Sequence, residues 1–254
     1  MQFQGPQTRF FTCERECYAI PRHDRSSEAE DTSLSLLERL VHDATGLGVA
    51  IPQHDAARML RLLDELERWN RTYNLTAIRQ REDMVTHHLL DSLAIQPDLH
   101  GSTIADVGTG AGFPGLPLAV VNPERRFTLI DSAGKKIRFI NHAAHMLGLV
   151  NVEGVHARVE SLQPDRPYDT VVARAFAALP EMLEKIAPLC GEHTHVLAMK
   201  GKWPEDEVAG VPADWTVERS RVLSIPGLGE DRCVITLIRT APAAHPTRRE
   251  RPPA

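Results

Sequence analysis

The chain has 254 residues, 42 % of them apolar and 25 % charged, with a net charge of −5, the make-up of an ordinary globular protein with room for one α/β domain and a short extra element. Nothing in it supplies the roughly 20 continuous apolar residues of a membrane helix, its first residues lack the apolar core of a secretory signal, and four cysteines do not make a disulfide framework; the expected location is the cytoplasm. The negative balance argues against a protein that coats nucleic acid over its whole surface and leaves room for a local basic face.

Residues 1–31 are polar, mixed in charge and without periodicity, and read as a disordered extension or as an initiation codon assigned too far upstream. Cys13, Cys17 and His23 lie here, and one C-x-x-x-C pair without a second half does not make a metal site. Residues 32–100 read as a helical cap. Apolar positions recur at helical spacing from Ser33 to about His42, and more clearly at Met59, Leu62, Leu63, Leu66 and Trp69, a helix that begins at His54 or Asp55 after Pro52 and ends near Tyr73 and Asn74. A third helix is expected over Glu82 to Ile95, after which Pro97, Gly101 and Ser102 punctuate. Arg68, Arg71, Arg79 and Arg81 fall in one run with Trp69 and Tyr73 and no acid.

Residues 101–240 alternate short β-rich runs with helical patterns, which predicts a doubly wound, mostly parallel seven-stranded sheet. Strands are expected at Thr103–Val107, Phe127–Asp131, Val152–His156, Tyr168–Ala173 and His195–Met199. Helices are expected at Gly112–Val121, Lys135–Leu147 and Ala178–Leu189. Trp215–Leu223 and Cys233–Arg239 read as an antiparallel hairpin at the sheet's edge. A second basic run without acids, Lys135, Lys136, Arg138, His142 and His145, belongs to the helix over Lys135–Leu147; two such runs on an acidic chain point to a polyanionic partner. The tail 241–254, rich in Pro and Arg, is expected to be disordered.

The most informative segment runs from Ile104 to Gly115 (IADVGTGAGFPG). A strand enters a glycine-rich turn and then a helix, which lets a ligand approach the backbone without Cβ clashes. Gly110, Gly112 and Gly115 also satisfy the dinucleotide pattern G-x-G-x-x-G. However, Asp106 at the end of the strand would repel a pyrophosphate and attract the cationic amino group of a methionine moiety. Pro114 removes a backbone donor that a phosphate would want. Asp131, at the end of the second strand and 23 residues after Gly108, can accept from both ribose hydroxyls or merely cap the following helix. Together these features favour S-adenosylmethionine, held by Gly108, Gly110 and Asp131 among others, over a nicotinamide cofactor.

The segment from Arg68 to Arg79 (RWNRTYNLTAIR), then His88 to Ser92 (HLLDS), then Asp106 to Gly115, resembles the ribosomal RNA small subunit methyltransferase G family, also called glucose-inhibited division protein B. Arg174 to Phe176, Met199 to Gly201 and Pro204 to Glu207 extend the resemblance, which runs from about Leu36 to Arg239. It implies a Rossmann-like methyltransferase fold and transfer of a methyl group from S-adenosylmethionine to N7 of one guanine in the decoding-region loop of 16S rRNA. The partner it implies is 16S rRNA or the small ribosomal subunit, with no obligate protein partner. It also implies cofactor contacts from Gly108, Phe113, Val159, Glu160 and Arg174. Ala111 stands where proline is common in the family.

Guanine N7 carries a free lone pair and the methyl donor is an activated sulfonium, so the chemistry asks for in-line alignment rather than a general base. The sequence nominates no catalytic acid or base and no metal. Asn74, His88 and Asp91 are candidates for RNA contact or for holding the cap against the sheet. Arg174 and Lys200 follow strand ends, where open α/β sheets place ligands, and could bind the cofactor carboxylate, an rRNA phosphate or the guanine O6. Three other readings remain: the same fold acting on a small molecule or a protein, a non-catalytic ribosome-assembly factor, and a nicotinamide oxidoreductase.

Overall fold

The computed structural model describes residues 35–240; the expected extension 1–31, with Cys13, Cys17 and His23, and the tail 241–254 lie outside them. A capping box opens α1 (Leu36–Gly46). The Ser35 hydroxyl accepts from the Glu38 N–H at 3.3 Å while the Glu38 carboxylate accepts from the Ser35 N–H at 2.8 Å, satisfying two donors that the first turn leaves free. The helix outruns the expected His42 because Ala44, fully buried, extends its apolar face. α2 (Gln53–Tyr73) starts after Pro52 and buries Met59, Leu62, Leu63 and Leu66 on one side. It ends at Asn74, whose backbone is left-handed (φ 47°).

The expected helix over Glu82–Ile95 is real but not uniform. α3 (Arg81–Met84) runs into a π-helical segment, Val85–Leu90, and then α4 (Asp91–Leu93). The hydrophobic pattern could not reveal the π segment, which widens the coil by one residue within an otherwise continuous apolar face. Arg81 anchors the start of this stretch to α2 through Asp64 at 2.7 Å and Glu67 at 3.0 Å.

Seven strands form one sheet in the order β3-β2-β1-β4-β5-β7-β6. β1 (Thr103–Val107), β2 (Arg126–Asp131), β3 (Val152–His156), β4 (Thr170–Arg174) and β5 (His195–Lys200) are parallel to one another. β6 (Trp215–Val222) and β7 (Cys233–Arg239) form the expected antiparallel hairpin, and β7 inserts beside β5. β4 starts two residues later than expected, because the Tyr168 and Asp169 N–H groups donate to Leu189 and Thr103 rather than along the ladder. The first βα helix, α5 (Gly115–Val121), also starts late, at Gly115 rather than Gly112. Gly108, Gly110 and Gly112 all have positive φ, so the chain must finish turning before it can coil.

Successive β residues alternate between two cores. Ile104, Val172 and Leu197 face a cluster that includes Met59 and Leu63 of α2, Leu116 of α5 and Phe139 of α6 (Gly134–Met146). Ala105, Val171, Val196 and Ala198 face a second cluster with Leu179, Met182 and Leu183 of α7 (Leu179–Ile186). The sheet is thus buried on both faces, and the strand order reverses between β1 and β4. Ligands of doubly wound sheets bind outside the carboxyl ends of the strands at such a point.

Candidate active site

The turn after β1 is built on Asp106 and Asp131. The buried Asp106 carboxylate accepts through Oδ2 from the Thr109 hydroxyl at 2.6 Å and from the Gly115 N–H at 2.8 Å, pinning both ends of the loop. Gly108 donates to the Ile130 carbonyl at 2.9 Å, tying the loop to β2. A Cβ on Gly108 would fall 2.6 Å from Phe176 Cδ2, whereas one on Gly110 would meet nothing within 4 Å. The Gly110 backbone therefore borders open space, the cradle that a closely approaching ligand needs.

Two clefts flank this turn and share Gly108 and Ala175. The first, ≈330 Å³, is lined by Asp131, Val159, Glu160 and Phe176. Asp131 Oδ2 accepts from the Gly110 N–H at 3.0 Å and from Lys136 Nζ at 3.2 Å, and Oδ1 from the Ala133 N–H at 2.8 Å. The carboxylate both caps the entry to α6 and faces the cleft, with a lone pair left on Oδ1 for a ribose hydroxyl. These residues fit the adenosine part of S-adenosylmethionine.

The second cleft, ≈590 Å³, brings together Gly110, Phe113, His88, Asp91, Arg174 and Lys200. The π segment explains how. Asp91 N–H reaches back five residues to Thr86 O rather than four to His87 O, and His87 O accepts from Arg174 Nη1 at 3.0 Å. The same Nη1 lies 2.9 Å from Asp91 Oδ2. Arg232, from the connection before β7, places Nε 3.3 Å from Asp91 Oδ1. One buried carboxylate thus sits between two guanidinium groups.

His88 stacks on Phe113 with centroids 4.5 Å apart and bonds Thr76 Oγ1 through Nε2 at 3.0 Å. Burial pushes its pKa down to about 3, with Arg174 and His87 adding to the effect, so the ring is neutral near pH 7. Asn70, buried in α2, holds Thr76 from the other side, donating to its carbonyl and accepting from its N–H at 2.9 and 3.0 Å. Asn74 lines neither cleft: it makes the left-handed turn that delivers Leu75 and Thr76 to the cleft wall. Lys200 reaches the wall, but its ammonium donates to Ala177 O at 2.8 Å and to Glu207 at 2.7 Å. Glu207 also accepts from the Leu179 N–H at 2.7 Å, so the pair fastens the start of α7.

Sequence reasoning assigned Asp106 to the cofactor's amino group, yet it lines neither cleft and supports the turn from beneath. Burial pushes its pKa up to about 6, against the smaller opposing pull of Thr109, Gly115 and Arg174. A folded-state value above the unfolded 3.8 contributes stability that is full below pH 3.8 and is lost as pH rises through 6. Asp106→Asn keeps the shape and an acceptor oxygen. Its stability relative to the unsubstituted chain should rise by about 3 kcal/mol from acid to neutral pH, read by urea unfolding at about pH 4 and pH 7. A pH-independent difference between the two proteins would contradict the assignment.

Arg232, Thr76 and Ala175 escaped sequence reasoning. Arg232 reaches the cleft only because β7 inserts next to β5, a pairing no local pattern encodes. Ala175 carries φ +49° at the junction of the two clefts, a left-handed backbone that costs a non-glycine residue about 1–3 kcal/mol. No group of three or more His, Cys, Asp or Glu able to hold a metal occurs among the described residues.

The family model described as rRNA small subunit methyltransferase G matches residues 55–235. Proteins named ribosomal RNA small subunit methyltransferase G are similar over most of the chain. That of Cronobacter sakazakii is 41 % identical over 80 % of this chain and 97 % of its own length. That of Pseudomonas paraeruginosa is 44 % identical over 80 % and 96 %. Among solved structures, a SAM-dependent methyltransferase from Aquifex aeolicus aligns with 59 % of this chain and 90 % of its own, at 21 % identity and a TM-score of 0.46.

Proposed function

The chain belongs to the ribosomal RNA small subunit methyltransferase G family, and from that premise we propose that it transfers a methyl group from S-adenosylmethionine to N7 of one guanine in the decoding-region loop of 16S rRNA. The observation that carries this reading is the pair of clefts meeting at Gly108 and Ala175, one suited to adenosine and the other open beside it for a base. Asp131, with Val159 and Glu160, would hold the adenosine. Gly108, Gly110, Phe113 and Arg174 would hold the methionine end where the clefts join. Asn74, His88, Asp91 and Lys200 serve the target side, Asn74 by turning the chain into the cleft wall, His88 as an uncharged stacked ring and Asp91 by aiming Arg174. The cofactor supplies an activated methyl on a sulfonium. What the protein adds is alignment and exclusion of water, which together account for much of such a rate enhancement.

The two basic runs, far apart in the sequence, support an RNA substrate because they share one face. Lys135 Nζ donates to Tyr73 O at 2.9 Å, and Arg68 lies 3.1 Å from His142, so the end of α2 abuts the start of α6. Arg68 and Arg81 are matched by acids, but Arg71, Arg79, Lys135 and Arg138 are exposed and have no acidic partner among the described residues. They flank the wall formed by Leu75, Thr76 and Ile78. No helix among the described residues is long and apolar enough to cross a membrane, and the cytoplasm, where small subunits assemble, is the location this reading requires.

The test is transfer of labelled methyl to small ribosomal subunits from a strain lacking the gene, with the product mapped by cleavage at N7-methylguanine. Label at a single guanine of the decoding-region loop is the expected result. Label at another RNA position would discard the target but keep the methyltransferase, and label on no RNA would discard the RNA substrate.

A further inference from the structure

The target-side cleft carries more positive charge than the cofactor's single carboxylate uses. Lys200 is matched by Glu207 at 2.7 Å. Arg174 and Arg232 share the single carboxylate of Asp91, at 2.9 and 3.3 Å. The other acid near Arg232 is Glu230, 2.9 Å away and 62 % exposed, and an ion pair that open to water binds weakly and is readily exchanged. Two guanidinium forks over one buried carboxylate leave a surplus cation at the cleft. S-adenosylmethionine brings one carboxylate, which one guanidinium satisfies. A second oxyanion has a place here.

Resting on the reading that RNA enters this cleft, we propose that Arg232 forms a subsite for a backbone phosphate beside the target guanine, next to Arg174 at the cofactor's carboxylate, and that Asp91 is the positioning residue for both guanidinium groups. The two forks come from different elements, the end of β4 and the connection just before β7, and reach Asp91 from two directions. Arg232 is well fixed. Its Nη1 donates to Asp231 O at 2.9 Å, and the connection that carries it seats on the helices that form the cleft wall. At Gly227 of that connection a Cβ would lie 3.4 Å from Arg39 Nη2 and 3.5 Å from Thr86 Oγ1. Thr86 belongs to the same π segment that supplies His87. A planar guanidinium held in this way matches a phosphate bidentately, which a lysine cannot do.

The test compares Arg232→Gln, Arg232→Lys and, as a control for net charge, Arg126→Gln at the opposite end of the sheet. Methyl transfer to small subunits is measured over a salt series, and S-adenosylhomocysteine binding by calorimetry. Arg232→Gln should raise KM for the subunit roughly tenfold and reduce the slope of log(kcat/KM) against log salt by about 0.7–0.9, the loss of one phosphate contact. kcat and the affinity for S-adenosylhomocysteine should stay within about twofold of the unsubstituted protein. Arg232→Lys should restore the salt slope but only part of the affinity. Arg126→Gln should do neither.

A matching loss of S-adenosylhomocysteine affinity would overturn the proposal in favour of a cofactor-carboxylate contact. A fall in kcat or in thermal stability with an unchanged salt slope would reduce Arg232 to a structural tie. Failure of the underlying reading is separately visible, because the unsubstituted protein would then label no RNA.

Discussion

Gly108→Ala is expected to weaken S-adenosylhomocysteine binding by more than about a hundredfold while the chain still folds. At φ +66° an L-side chain carries about 1–2 kcal/mol of strain. The added Cβ would also fall 2.6 Å from Phe176 Cδ2, and relieving such an overlap costs about 1–3 kcal/mol. The ring lines the adenosine-side cleft, so any shift of it reshapes that cleft. Nor can the backbone yield without stretching the 2.9 Å bond from Gly108 to Ile130 O. Either adjustment deforms the site, so binding suffers more than stability. Gly148→Ala is the matched control: its φ is likewise positive, +64°, but its Cβ would meet nothing within 4 Å, so it should lower stability by about 1 kcal/mol and leave binding unchanged. Calorimetric titration of both variants decides the matter, and near-normal binding by Gly108→Ala would remove the turn from the cofactor site.

The turn was legible because its glycines serve the backbone, and backbone requirements leave marks in the sequence. For the same reason β1 starts and ends where expected, with every residue after Thr103 buried: a buried parallel strand is specified residue by residue. The helix over Glu82–Ile95 was legible as a helix but not as a π segment. An apolar face tolerates one extra residue per turn, whereas the rerouted Asp91 N–H can be seen only in three dimensions. Asp106 was found but misassigned, since the residue pattern places an acid at the strand end without saying whether its carboxylate faces the ligand or the underside of the loop. Arg232 depends on which strand neighbours β5. That choice is made by packing across the sheet, and no local spacing carries it.

Asp91→Leu is expected to destabilise the fold by about 3 kcal/mol, the lower end of the range for breaking a buried pair. Asp91 itself is almost fully buried, but Arg174 and Arg232 keep 26 % and 23 % of their side chains exposed, so each can recover some hydration once its partner is gone. What they cannot escape is each other, two like charges left facing one cleft, and the loss of the bond that fixes Arg174 beside His87 O. Adding Arg174→Met should then return most of the lost stability, because a buried ion pair replaced by apolar groups of similar volume costs little. Methyl transfer should stay near background in both variants. The double-mutant cycle, read by urea unfolding, should give a coupling energy of about 1–3 kcal/mol. Simple additivity would mean that Asp91 holds the π segment in place without reference to Arg174. Recovery of transfer along with stability would mean that neither charge takes part in the reaction, and the carboxylate between the two guanidinium groups would be a feature of the fold alone.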